Sequence, residues 1–310
     1  MSESGRKTIV TALWQMSRPA QIALIILVFA LGVTMAVARG APVQPERVGL
    51  GLAALLPVAA SVHYANEYAD VETDALAERT PFSGGSGALP DTGLPARLAS
   101  RAALVSGAVG LVVLVVVVSP LVSRPVGVIP AALLVGILLV GWQYSVGPLR
   151  LAWHGFGEVT NAALGGVALP LYGFAVVTGG VTLQAMLATV PFALAVFVNL
   201  LETQWPDRRA DATVGKRTLA TRWSAGRLRL VYGLASIAAI GTAIALSGGV
   251  LPRPVAIGTA VPMLGFGPGY IRFTRREKPL PAVMTMVTVA VGSTAGWSLV
   301  VAGALVDITP

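Results

Sequence analysis

The chain has 310 residues, 55% of them hydrophobic and 12% charged, with a mean hydropathy of +0.76. So few charges and so many long apolar runs exclude an ordinary soluble domain and give an all-α polytopic membrane protein. Zero cysteines exclude disulfides, thiolate catalysis and Cys-ligated zinc, and a formal net charge of +8 is read by position, because excess Lys and Arg in membrane proteins report topology before nucleic acid.

In chain order, the basic start MSESGRKTIVTALWQMSRP leads into a first span of about Ala20 to Ala38, read as a retained helix because no small-residue cleavage site follows a short apolar stretch. A second span runs from about Val48 into HYANEYADVETD, and the polar stretch after it, rich in Gly, Ser and Pro, reads as an ordered loop over a site. Further spans fall at about 98–119, 126–144, 159–177, 183–205, 228–246, 251–270 and 281–306, giving about nine transmembrane helices in one domain covering 1–310. With the N-terminus in the cytoplasm, all Lys and Arg except Arg39, Arg47, Arg124 and Arg253 fall inside, a strong positive-inside bias that places the protein as a multi-pass protein of the cell membrane.

Within HYANEYADVETD, Asn66, Asp70 and Asp74 recur every fourth residue. On a helix that spacing stacks them about 6 Å apart per step with roughly 40° of drift, so they can share one ligand. Carboxylates at the mouth of a membrane helix call for a partner, and with no basic residue between them the simplest partner is a cation. Hard oxygen donors including an amide suit Mg²⁺. A solvated acidic helix end would show the same letters.

A second acidic place, NLLETQWPDRRADATVGKRTL, carries Asp207 and Asp211 at the same spacing, with Pro206 at the start of a new helical segment. Asp70, Asp74 and Arg79 stand 137 residues before Asp207, Asp211 and Lys216, which reads as a diverged four-helix repeat whose halves, about 18–145 and 155–306, face a common central cavity. Each aspartate pair can take a Mg²⁺, two in all, and the ions can bridge a diphosphate while Arg79, Lys216 and Arg217 neutralise the remaining charge. In a membrane the natural substrate of that kind is a polyprenyl diphosphate.

These residues resemble the UbiA superfamily of intramembrane prenyltransferases: NxxxDxxxD is met by Asn66, Asp70 and Asp74, and DxxxD with a basic stretch by Asp207, Asp211, Lys216 and Arg217. The segments RTPFSGGSG, YSVGPLRLAWHGFGE and GKRTL are most similar to the 1,4-dihydroxy-2-naphthoate branch of menaquinone synthesis, although Glu202 departs from that branch's pattern before the second motif. The resemblance implies a prenyltransferase moving a polyprenyl group to a small aromatic acceptor at the cytoplasmic face, with Asp70, Asp207, Arg18 and Tyr144 as catalytic residues and Arg79, Arg150, Lys216 and Arg217 on the diphosphate. Arg18, in an RP pair before the first span, is expected to face the acceptor or to serve as a topology signal. Tyr144 and Arg150 are expected at the cavity mouth, where an interfacial Tyr and a loop Arg also occur without function. His63 is read as a packed polar residue, Gly165 and Gly166 as helix-packing residues, Glu158 as a loop residue without an assigned role, and the run Arg272 to Lys278 as a topology signal touching anionic lipid. Other acceptors, such as 4-hydroxybenzoate, a glycerol-phosphate lipid or a carotenoid, stay open. So does a secondary transporter with carboxylate ion sites, although such sites tend to lie at the bilayer midplane.

Overall fold

In lipid an unpaired backbone N–H or C=O has no water to turn to, so a long apolar segment satisfies its own polar groups by becoming a helix. The computed structural model describes residues 3–80, 84–119 and 125–306, and its regular elements there are helices. Arg124 and residues 81–83 of the first loop motif lie outside the described residues. In order the helices are α1 (Glu3–Met16), α2 (Pro19–Ala38), α3 (Pro45–Ala69), α4 (Val71–Leu76), α5 (Ala88–Thr92), α6 (Arg97–Val118), α7 (Val128–Ser145), α8 (Gly157–Ala163), α9 (Leu169–Thr178), α10 (Leu183–Thr203), α11 (Arg208–Thr213), α12 (Leu219–Arg222), α13 (Ala225–Ala245), α14 (Arg253–Met263), α15 (Phe266–Arg272) and α16 (Leu280–Val306). A π-helical segment, Leu164–Ala168, joins α8 to α9.

Eight helices are long and apolar enough to cross a membrane, α8 and α9 counting as one. The ninth expected span, 251–270, is helical but divided into α14 and α15. The cause lies in its sequence: Pro262 has no N–H and its ring crowds the carbonyl four residues back, so the helix ends at Met263 and restarts after Gly265.

The bundle buries small residues and shows large ones. On α6, Ala99, Ala103, Gly107 and Gly110 are buried while Val105, Val112 and Val115 are more than 60% exposed. That is the reverse of a water-soluble helix, and it follows from lipid being as apolar as the side chains: helices gain by close packing, for which small residues are needed. On α2 and α9, a Cβ on Gly32 would collide with the Pro170 carbonyl, and one on Gly173 with the Phe29 carbonyl. Gly258 of α14 and Gly292 of α16 meet in the same reciprocal way, and the Gly258 carbonyl is the one Pro262 leaves without its helical donor. Gly166 packs on the Ala193 backbone of α10, as its packing role requires.

Buried polar links fix the registers. Ser61 of α3 donates to the Ala103 carbonyl of α6 at 2.7 Å and accepts from Trp142 Nε1 of α7 at 2.9 Å. Tyr172 of α9, fully buried, donates to the Gly51 carbonyl of α3 at 2.7 Å. The two motif helices take corresponding partners: α3 packs on α6 and α10 on α13, so each aspartate motif leaves the bundle at the end of a helix held by the helix that follows its loop. A satellite apolar cluster, Ala12 and Met16 of α1 with Ala88 and Leu89 of α5 and Ala99 of α6, lies apart from the main core.

Candidate active site

The helix carrying the first motif stops earlier than its spacing predicts. Helix α3 ends at Ala69, and Asp70, with φ −101° and ψ 10°, is the hinge to the short α4 that carries Asp74. The stacking of Asn66, Asp70 and Asp74 on one continuous helix is therefore corrected to a kinked one, because Asp70 leaves the helical region of the backbone. The i to i+4 pattern survives the kink: Asp70 N–H bonds Asn66 O at 2.9 Å and Asp74 N–H bonds Asp70 O at 2.8 Å. Asn66 Nδ2 donates both to Asp70 Oδ2 and to Ser145 Oγ at the end of α7, each at 2.9 Å. That amide is thereby oriented with its oxygen still available.

The second motif is built alike. Helix α10 ends at Thr203, a turn holds Trp205 and Pro206, Asp207 stands at the N-cap of α11, and Asp211 lies in the first turn of α11 at 2% exposure. Pro206 thus sits in the turn and not inside the helix. The chain then folds back, Lys216 N–H bonding the Asp211 carbonyl at 2.8 Å. This return places Lys216 Nζ 3.0 Å from Asp70 Oδ1 and 3.6 Å from Asp211 Oδ1, so one ammonium joins the two motifs. Helix α4 packs on α11, and Gly84 N–H of the first loop donates to Asp207 Oδ2 at 3.3 Å.

The other basic residues divide by position. Arg79 is held in an exposed two-point pair with Asp91, its Nη2 to Oδ1 distance being 2.7 Å. Arg150, exposed and in the left-handed backbone region, lays its guanidinium 4.0 Å over the Trp153 ring, whose other neighbour is Lys216 Nζ at 5.8 Å. Arg217 is exposed, its backbone N–H bonded to the Trp153 carbonyl at 3.0 Å. Tyr144, near the end of α7, has Lys216, Glu158 and Asp70 as the charges nearest its hydroxyl. Lys216 alone of these bases touches both aspartate clusters; Arg79, Arg150 and Arg217 stand around them.

Arg18 makes a buried pair with Glu67, Nε at 2.8 Å and Nη2 at 2.6 Å from Oε1. His63 bonds the neighbouring Ser17 carbonyl through Nδ1 at 2.7 Å, the packed role expected of it. Glu202 turns toward α13, where it accepts from Tyr232 at 3.1 Å.

Electrostatically the mouth is short of positive charge. Burial, then Asp70 and Glu67, push the Asp74 carboxyl up to about 7. Burial is likewise the main reason that Asp211 is pushed up to about 7, Lys216 pulling the other way. Burial alone would lower Lys216, but Asp70 and Asp211 outweigh it and hold it above the usual lysine range. Four aspartates around one ammonium leave an excess of buried negative charge, which is the condition a cation relieves. Asn66, Asp70, Asp74, Asp207 and Asp211 supply hard oxygen donors of the right kind. Gly85 gives close access to one of them, for a Cβ there would overlap the Asp74 carboxylate. Among the described residues no three acidic or histidine side chains form a ready cation cage. That arrangement fits Mg²⁺, which takes one or two carboxylates, keeps waters and is completed by substrate phosphate oxygens.

Reading the sequence missed Ser145, Ser86 and Trp153 and gave Glu67 no role. Glu158, singled out without one, is fully buried and accepts from Leu219 N–H at 2.7 Å, tethering the loop behind the second motif. Its position after a glycine was the available signal; for the others only three-dimensional proximity shows the role.

Residues 25–289 match the model of the UbiA prenyltransferase family. A stretch of 83 residues is 30% identical to the 1,4-dihydroxy-2-naphthoate octaprenyltransferase of Bacillus subtilis (strain 168), covering 27% of each chain. Among solved structures, a UbiA homologue from Archaeoglobus fulgidus bound to GPP and Mg²⁺ aligns with a TM-score of 0.65 at 16% identity, covering 94% of this chain and 99% of that one. A digeranylgeranylglyceryl phosphate synthase aligns with a TM-score of 0.63 at 14% identity, covering 93% and 98%. These two alignments speak for the fold.

Proposed function

The chain belongs to the UbiA prenyltransferase family, and on that premise we propose that this membrane enzyme transfers a polyprenyl group from polyprenyl diphosphate to 1,4-dihydroxy-2-naphthoate, using Mg²⁺, in menaquinone biosynthesis. The observation that carries the proposal is Lys216, which ties Asp70 of one motif to Asp211 of the other and so makes a single diphosphate-sized locus from two halves of the chain. The positive-inside bias puts this locus and the N-terminus on the cytoplasmic side. In the solved homologue from A. fulgidus, GPP and Mg²⁺ are bound together, a combination that suits the donor set here.

The reaction breaks the allylic C–O bond of the donor, releases diphosphate and forms a C–C bond to an electron-rich ring carbon, which gives up its former substituent to restore aromaticity. Mg²⁺ held by Asn66, Asp70, Asp74, Asp207 and Asp211, two ions in the fullest reading, would supply the charge that stabilises departing diphosphate. Lys216 provides a further, preorganised positive charge at that place. Arg79, Arg150 and Arg217 neutralise the outer phosphate oxygens, and Arg79 would exchange Asp91 for that role. Tyr144 lines the locus beside Lys216, where its hydroxyl can contact the donor head group. Arg18 orients the acceptor by its carboxylate, a planar anion that matches the guanidinium fork.

The test is an assay of the purified full chain with Mg²⁺, labelled geranylgeranyl diphosphate and a panel of naphthoate, benzoate and glycerol-phosphate acceptors. Prenylated naphthoate, abolished by chelation and by Asp70→Ala or Asp207→Ala in folded protein, is the expected result. Undiminished turnover in either variant would overturn the paired site, and product only from another acceptor would move the enzyme to another branch.

A further inference from the structure

Glu67 is 2% exposed, yet its carboxylate accepts four hydrogen bonds: from Arg18 Nε and Nη2, and from Ser86 N–H at 3.1 Å and Ser86 Oγ at 2.5 Å. Three separate chain segments therefore meet on one side chain: the α1–α2 junction, helix α3 and the loop after α4. With its oxygens committed in this way, Glu67 is not a donor for a cation although it neighbours Asn66.

Its hold on Arg18 is one-sided. A guanidinium has two edges that each suit a carboxylate, one made of Nε and an Nη, the other of the two terminal nitrogens. Glu67 takes the first edge; the hydrogen bonds of Arg18 side-chain nitrogens to described residues all come from Nε and Nη2. The side chain remains 23% exposed, so its terminal edge is reachable. The backbone makes this presentation fragile: Arg18 has φ 54° and ψ 68°, a left-handed conformation that is uncommon outside glycine, directly before Pro19.

We infer that Glu67 is the positioning residue for the acceptor, fixing Arg18 by one edge so that the other meets a planar carboxylate, and locking Ser86 of the loop to the same point. The inference rests on Arg18 being the acceptor's handle, as proposed above. The ion pair is neutral as a whole, so the preference it creates is geometric: the site selects where a carboxylate lies and does not simply attract anions.

The experiment compares 1,4-dihydroxy-2-naphthoate with 1,4-dihydroxynaphthalene, which lacks the carboxylate, as acceptors for the full-length protein at saturating donor. Wild type should favour the acid by about 30-fold or more in kcat/KM, the range expected of a two-point charged hydrogen bond. Absence of that preference in wild type would refute the handle itself, whatever Glu67 does. Given the preference, Glu67→Ala should lower it about tenfold or more, leaving turnover of the neutral acceptor and the donor KM unchanged, because misorientation alone carries such factors. Glu67→Gln, which keeps the shape and can still accept from Arg18 and donate to Ser86 Oγ, should restore most of the preference. Should Glu67→Ala fail to fold, Glu67→Asp, which withdraws the carboxylate by one methylene, reads the same quantity. An undiminished preference in the folded variant, or equal losses on both acceptors with the donor KM rising in step, would overturn the inference.

Discussion

At the scale of single residues the site depends on which partner each charge holds. Arg18 bound edge-on to Glu67 differs from a lysine at that place, because an ammonium cannot hold Glu67 and a second carboxylate in one plane. Arg18→Lys is therefore expected to lower kcat/KM for the acceptor by about 30- to 1000-fold, equivalent to about 2 to 4 kcal/mol, with the donor nearly unaffected. Steady-state kinetics with each substrate varied in turn checks this, and a change confined to the donor's KM would move Arg18 to the diphosphate. The letters NxxxDxxxD and DxxxD made the aspartates legible, because a spacing of four survives both a straight helix and a kinked one. The partners of Arg18 were not legible: Glu67 lies 49 residues on and Ser86 another 19, and nothing local in the sequence pairs them.

At the scale of elements, α4 and α11 each bring one buried aspartate to the contact between the motifs. Asp74 and Asp211 have folded values pushed up to about 7 from an ordinary 3.8, chiefly by burial. The native state thus holds these protons more tightly than the unfolded one, so this contribution to stability is present at low pH and lost as pH rises through about 7. In chelator, the Tm of the detergent-purified protein should fall between pH 5.5 and 8.0, and added Mg²⁺ should raise it more at pH 8.0. The opposite slope would show that the two carboxyls are ionised in the native protein without help. The broken α14–α15 offers a second check. Gly292→Leu forces a side chain into the Gly258 carbonyl and should destabilise the α14–α16 contact by about 1 to 3 kcal/mol or more, as overpacking does, read as a lower Tm. Helix lengths followed from hydropathy, whereas this break followed from Pro262, which a hydropathy window averages away.

For the whole molecule, eight clear spans and one divided span keep both motif loops on one face if the divided span also crosses. Cysteines at the exposed Thr92 and Thr213 should then be labelled from the cytoplasm and one at Arg253 from outside, tested with a membrane-impermeant reagent on intact cells and on inverted vesicles. Thr92 and Thr213 on opposite faces would separate the two halves of the site. The repeat was legible because its two aspartate pairs stand at a constant offset, but how its copies join was not: that depends on a lysine side chain returning through a turn.

The satellite cluster of α1, α5 and the start of α6 lies at the edge of this architecture, and α1 and α5 are not among the membrane-crossing helices. Apolar contacts in water are entropy-driven near room temperature and weaken on cooling, while helix contacts within lipid have no such drive. The loop that carries Ser86 over the site is thus held by a force with a different temperature dependence from the one that holds the bundle. In a cold membrane the scaffold would stay closed while its cover loosens, so the chill sensitivity of the enzyme would reside in Ala12, Met16, Ala88 and Leu89 and not among the spans.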